Sequence, residues 1–155
     1  LWLARHDMVR RMLFMPGERG YTGWCLFTGY VWLGLGGLLG ILYPAVPSGF
    51  LYDAFLHSVF VGFVFAMIFG HAFMIMPGVL KVNLNFHAGF YLPFILLEVG
   101  LVIRLTGDFF FQTAVRQAGA TLNAVAIVFF FVLLIQSALS TAPEDAEPVH
   151  TQTTP

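Results

Sequence analysis

Of the 155 residues, 59% are hydrophobic and only 10% charged, with a formal net charge of −1. A soluble domain carries about a quarter charged residues, so this composition excludes a water-soluble fold and specifies a membrane protein. The same balance, with no basic cluster beyond the N-terminal one, gives no support to nucleic-acid binding.

Four apolar runs, at about residues 23–43, 54–76, 87–105 and 117–139, each reach the roughly 20 residues a helix needs to cross about 30 Å of hydrocarbon. The runs are continuous and lack the period of two that a membrane barrel shows. The expected fold is therefore all-α, an integral membrane bundle of four transmembrane helices. It divides into a basic amphipathic N-terminal segment (1–20), the four-helix transmembrane domain (21–139) and a polar acidic tail (140–155).

Residues 1–15 set Arg5, His6, Arg10 and Arg11 against Met8, Val9, Met12 and Leu13 on a roughly helical period. Such a segment lies in the interface with its basic side toward anionic headgroups, or forms the cytoplasmic end of an earlier span. Pro16 and Gly17 then break the helix. The first span follows with GYVWLGLGGLLG, in which Gly36 and Gly40 form a GxxxG pair and Gly29, Gly34 and Gly37 thin the helix further. In lipid, glycines let backbones approach closely, so this is a packing face. Cys25, the single cysteine, reads as a small apolar filler, and no internal disulfide can form.

The second span repeats small residues every fourth position, at Ser58, Gly62, Ala66 and Gly70, and carries His57 and His71 on its other side. Fourteen α-helical residues turn through roughly 1400° and rise about 21 Å, so the two histidines are expected to share a face near opposite membrane surfaces. A helix that offers one axial ligand to each of two stacked haems uses this spacing, although Phe60, Val64 and Ile68 crowd the face between them. His57 follows Tyr52 and Asp53, so an interfacial hydrogen bond to a loop carbonyl competes with ligation. His71 lies deeper, where an ionisable group ordinarily faces a bundle interior or a site.

The third span supplies partners. His87, Tyr91, Phe94 and Glu98 fall at i, i+4, i+7 and i+11 and so form one polar stripe. His87 is expected on the membrane side of His71, where the two would share a haem or metal site. Glu98 falls near mid-bilayer, where an acid costs about 2.5–3.5 kcal/mol. It must be neutral, paired or hydrated: a proton-handling group, a partner for a quinone or haem propionate, or a simple interhelical bond to Asn123. Tyr91 is its neighbour in that role. Pro93 is expected to kink this helix close to the stripe.

After Ser140 the tail STAPEDAEPVHTQTTP is acidic, proline-containing and without aromatics, a composition that does not fold alone. Held in order, it would be held by another membrane subunit. Arg5, Arg10, Arg11, Arg19 and Lys81 stand on one side of the spans, and Arg104 and Arg116 on the other. Positive residues stay cytoplasmic, so both termini are expected inside, and the setting is a bacterial inner membrane. No repeat, phosphate loop, nucleophile elbow or zinc-type spacing is present, and no residue is nominated as catalytic.

The run HSVFVGFVFAMIFG, residues 57–70, resembles the histidine-led span of NnrS family membrane proteins, with His57 at the leading histidine, Gly62 and Met67 at the following positions, and Gly78 at the loop glycine. The resemblance implies a polytopic protein associated with haem or copper and linked to bacterial nitric oxide metabolism. The chain departs from it in length and at the loop, which here reads MIMPGVLKVNLNFH. Two functions follow. The first is a haem-associated or metal-associated membrane protein, engaged in electron transfer or nitric oxide chemistry, with His71, His87 and His57 as ligands, haem b ahead of copper, and Glu98 with Tyr91 as proton or hydrogen-bond partners. The second is a non-catalytic accessory subunit of a larger respiratory or photosynthetic complex, in which the histidines make interhelical hydrogen bonds.

Overall fold

The computed structural model describes residues 11–43, 48–81 and 83–140. The expected interfacial segment falls for the most part, and the acidic tail almost entirely, outside those residues. The described residues form α1 (Glu18–Leu42), α2 (Phe50–His57), a π-helix (Ser58–Phe65), α3 (Ala66–Leu80), a 3-10 turn (Ala88–Phe90), α4 (Tyr91–Phe109) and α5 (Thr113–Ser140). The segments α2, π and α3 are one continuous span, so four helices are long and apolar enough to cross a membrane: Glu18–Leu42, Phe50–Val79, Ala88–Phe109 and Thr113–Ser140. Each overruns its expected apolar run by a few residues, because helical hydrogen bonding continues into the interface after hydrophobicity ends. The protein is an all-helical integral membrane bundle.

Local chemistry sets the ends. Gly17 precedes α1 at φ 72, a left-handed conformation open to glycine, and so turns the chain after Pro16 as expected. Pro93 falls in the first turn of α4, where a missing N–H is no loss. His87 N-caps the preceding 3-10 turn, its ring nitrogen accepting from the Gly89 N–H at 3.1 Å.

The small-residue stripe of the second span packs on α1 along its whole length. A Cβ on Gly36 would stand 2.7 Å from Val59 and 3.5 Å from Ser58. Gly62 lies against Trp32, Gly29 against Ala66 and Met67, and Gly70 against Cys25. The Thr22 hydroxyl closes this seam by donating to the Gly70 carbonyl at 2.9 Å. Gly40 meets Phe55 of the same span, whereas Gly34 and Gly37 have nothing within 4 Å and point away from the bundle.

The π-helix explains why that stripe stays straight. An i, i+4 repeat drifts by about 40° per step in an α-helix, whereas in a π-helical stretch of about 4.4 residues per turn the same step falls short by about 30°. Two π steps and one α step leave a net drift of only about 20°, and the four small residues remain in line with one neighbouring helix. The histidines are displaced as a result. Eight π-helical residues rotate roughly 140° less than α-helical ones would, so the α-helical count behind a shared face of His57 and His71 does not apply to this span.

The third and fourth spans meet through glycines that periodicity does not reveal. A Cβ on Gly119 would stand 2.7 Å from Arg104 Cα, and one on Gly107 2.8 Å from Arg116 Cα. Two cores result. Toward the membrane face where α1 and α4 begin, Tyr21, Cys25, Phe69, Phe73, Phe90, Phe94 and Phe130 pack together, with Phe69 and Phe130 stacked at 3.8 Å. Toward the other face, Trp32, Leu39, Ala54, Leu101 and Leu105 do the same.

Candidate functional site

The three histidines stand in three different environments. His71 is half-buried in an open groove of about 410 Å³, lined with Phe63, Val64, Met67, Ile68 and Ile75 of its own span. Its Nδ1 lies 2.8 Å from the Met67 carbonyl. A carbonyl only accepts, so in the neutral ring the proton sits on Nδ1 and the Nε2 lone pair is free. That is the tautomer of a metal-ligating histidine, oriented by a backbone carbonyl.

His87 is committed the other way. Its Nδ1 accepts from Gly89 N–H, which leaves the neutral ring's proton on Nε2 and no lone pair for a metal while the cap persists. Its ring is exposed and lies against Phe90 at 4.7 Å between centroids. No hydrogen bond or ring contact joins His71 to His87 among the described residues. His57 repeats the His71 pattern, with Nδ1 2.8 Å from the Asp53 carbonyl and 3.4 Å from the Asp53 carboxylate.

His57 belongs to a charged cluster that composition does not disclose. Arg104 donates to Asp53 from Nε at 3.2 Å and from Nη2 at 2.9 Å. Asp108, one turn beyond Arg104, is fully buried, its nearest cation being Arg116 Nε at 3.9 Å. Neither Asp108 oxygen has a hydrogen-bond partner. Arg116 also lies over the Phe50 ring, 5.1 Å from its centroid. These five residues come from α2, α4 and α5, and they join the membrane face bearing the turn at Phe110–Gln112. No signal in the sequence brings residues about 50 positions apart together. The one usable clue is that charges placed so close to spans need partners.

Glu98 has a partner other than Asn123. Trp32 Nε1 donates to Glu98 Oε2 at 2.7 Å, while Asn123 donates to the Leu97 carbonyl at 2.9 Å. Glu98 Oε1 and Asn123 Oδ1 are buried and make no hydrogen bond. Of the expected stripe, Tyr91, Phe94 and Glu98 face α1: Tyr21 meets Tyr91 edge-on at 5.3 Å and Phe94 at 5.9 Å. His87 lies outside the α-helix and apart from that face.

Among the described residues, no three of His, Cys, Asp and Glu gather as a set able to hold a metal ion. His71 and His57 each keep an Nε2 lone pair available, and of these two His71 is the one set in an apolar groove. One nitrogen ligand suits an axial position on haem iron, whereas copper requires several nitrogen or sulfur ligands.

Residues 1–139 match the family described as a domain of unknown function, DUF8744, so the chain belongs to that family. No curated protein and no solved structure matches the chain.

Proposed function

We propose, from its own residues, that this DUF8744 member is a non-catalytic subunit of a membrane assembly that carries a haem on its outer face, with His71 as the residue that would hold it. The observation that carries this reading is the His71 ring: Nδ1 is held by the Met67 carbonyl, and Nε2 is free in an apolar groove. Phe63, Val64 and Ile68 supply the low-dielectric wall that tunes such a site. Haem b bound there would supply electron transfer or gas binding, and the NnrS-like run is compatible with a link to nitric oxide. His87 is left as a helix cap and His57 as a member of the Asp53–Arg104 cluster.

The test is a reduced-minus-oxidised absorbance spectrum of the protein purified from its own membranes. A stoichiometric Soret and α-band change is expected, lost in His71→Ala and retained in His87→Ala. A flat spectrum from the unmodified protein eliminates the haem.

A scaffold role without cofactor is the second reading. It is favoured by Gly34 and Gly37, which lie open on the outside of α1 beside exposed Val31, Leu38 and Ile41. Outward-facing small residues admit a neighbouring membrane helix. Under both readings the setting proposed is a bacterial cytoplasmic membrane with both termini inside. Arg104 and Arg116 are engaged by Asp53 and Asp108, while Arg11, Arg19 and Lys81 stand on the other face and have no salt bridge among the described residues.

A further inference from the structure

We infer that Glu98 is a proton-exchanging carboxyl within the bundle, reached from the membrane face of Tyr91 along a string of hydroxyl and thiol groups on α1. The inference is independent of His71 and of haem.

The string is a matter of register. Tyr21, Cys25, Thr28 and Trp32 fall at i, i+4, i+7 and i+11, one face of α1. The contacts Tyr21–Tyr91 and Trp32–Glu98 show that this face runs parallel to the Tyr91–Glu98 face of α4. Trp32 anchors that face to Glu98 at one end and the Tyr21 ring anchors it to Tyr91 at the other, with Cys25 and Thr28 between them in register. Tyr91 is half-buried, at the start of α4, and opens the string toward the aqueous phase.

Two orphaned atoms lie at the ends of this string. Tyr21 Oη and Glu98 Oε1 are both buried without a hydrogen-bond partner among the described residues. A permanently unmatched buried group is costly, and native structures rarely retain one without a reason. A carboxyl that alternates between acid and carboxylate needs a neighbour that both accepts and donates, because Oε1 donates in one state and accepts in the other. Thr28 can serve either state. Its hydroxyl donates to the Trp24 carbonyl at 3.2 Å, which leaves its lone pairs for a Glu98 O–H. Turned the other way, it donates to the carboxylate. Trp32 holds Oε2 throughout, so the proton is handled at Oε1. A proton that enters past Tyr91 leaves the same way, with nothing else consumed.

Infrared spectroscopy in lipid vesicles tests this. A carboxylic acid C=O band should be present that Glu98→Gln removes; glutamine keeps the acceptor for Trp32, so the fold is retained. In D2O the band should shift at once, and Tyr21→Phe and Thr28→Val should each slow the shift by about tenfold or more. Absence of any band removed by Glu98→Gln overturns the proposal, as does a band that stays unshifted on prolonged exposure. Exchange as fast in both variants as in the parent overturns the route. Should Glu98→Gln misfold, dicyclohexylcarbodiimide on the unmodified protein gives the answer: the protonated carboxyl adds across its C=N bond and rearranges to an N-acylurea. Mass spectrometry then finds Glu98 modified, or the proposal fails. A flat haem spectrum leaves all these readouts untouched.

Discussion

Arg104 reaches across 51 positions of chain to hold Asp53 through two hydrogen bonds. Both side chains are mostly buried, at 13% and 22% exposure, so neither has water as a ready substitute. Arg104→Ala is therefore expected to destabilise the bundle by about 2 kcal/mol or more, read as a lower thermal midpoint in detergent micelles. Asp53→Asn, which keeps one acceptor for the guanidinium, should cost less; equal losses would mean that the pair contributes only packing. This pair illustrates what the sequence does not reveal. Both residues are visible as charges near spans, yet nothing local says which faces which, and by counting charges alone Arg104 looks like a mere topology marker. Glu98 is the opposite case. Its cost in lipid announces it from sequence, and only the partner, Trp32 in place of Asn123, needs the fold, because an indole donor on another helix has no signature of its own.

The helices themselves were legible because lipid imposes a simple rule: an apolar run of about 20 residues must be helical to satisfy its backbone. The register of the second span was not, since hydrophobicity says nothing about i→i+5 bonding. Glycine positions divide in the same way. Gly119 abuts the Arg104 backbone, which cannot move aside, so Gly119→Leu should cost more than about 3 kcal/mol and disrupt the helix pair. Gly34 has open space around it, and Gly34→Leu should change stability by no more than about 0.5 kcal/mol. Circular dichroism during thermal denaturation in micelles compares the two directly. Similar losses at both positions would sink the packing scheme.

The molecule as a whole is a bundle whose faces are mostly apolar and open, with large exposed side chains such as Phe60, Met74, Val128 and Leu139. Composition alone anticipates that surface; which parts meet lipid and which meet another chain depends on neighbours and leaves no mark in one sequence. Orientation can be measured. With the buried Cys25 replaced by serine, a cysteine at Lys81 should react with an impermeant maleimide from the cytoplasmic side only. One at Gln112, in the turn between α4 and α5, should react only from the opposite side. The reverse pattern would invert the proposed topology.

The widened turns at Ser58–Phe65 also fix a bearing. Asp53 and His57 lie at one end of that stretch, and Met67 and His71 at the other. The winding of those eight residues sets the direction of the groove imidazole relative to the ion pair, and deleting one residue there would swing one end against the other by about 100°.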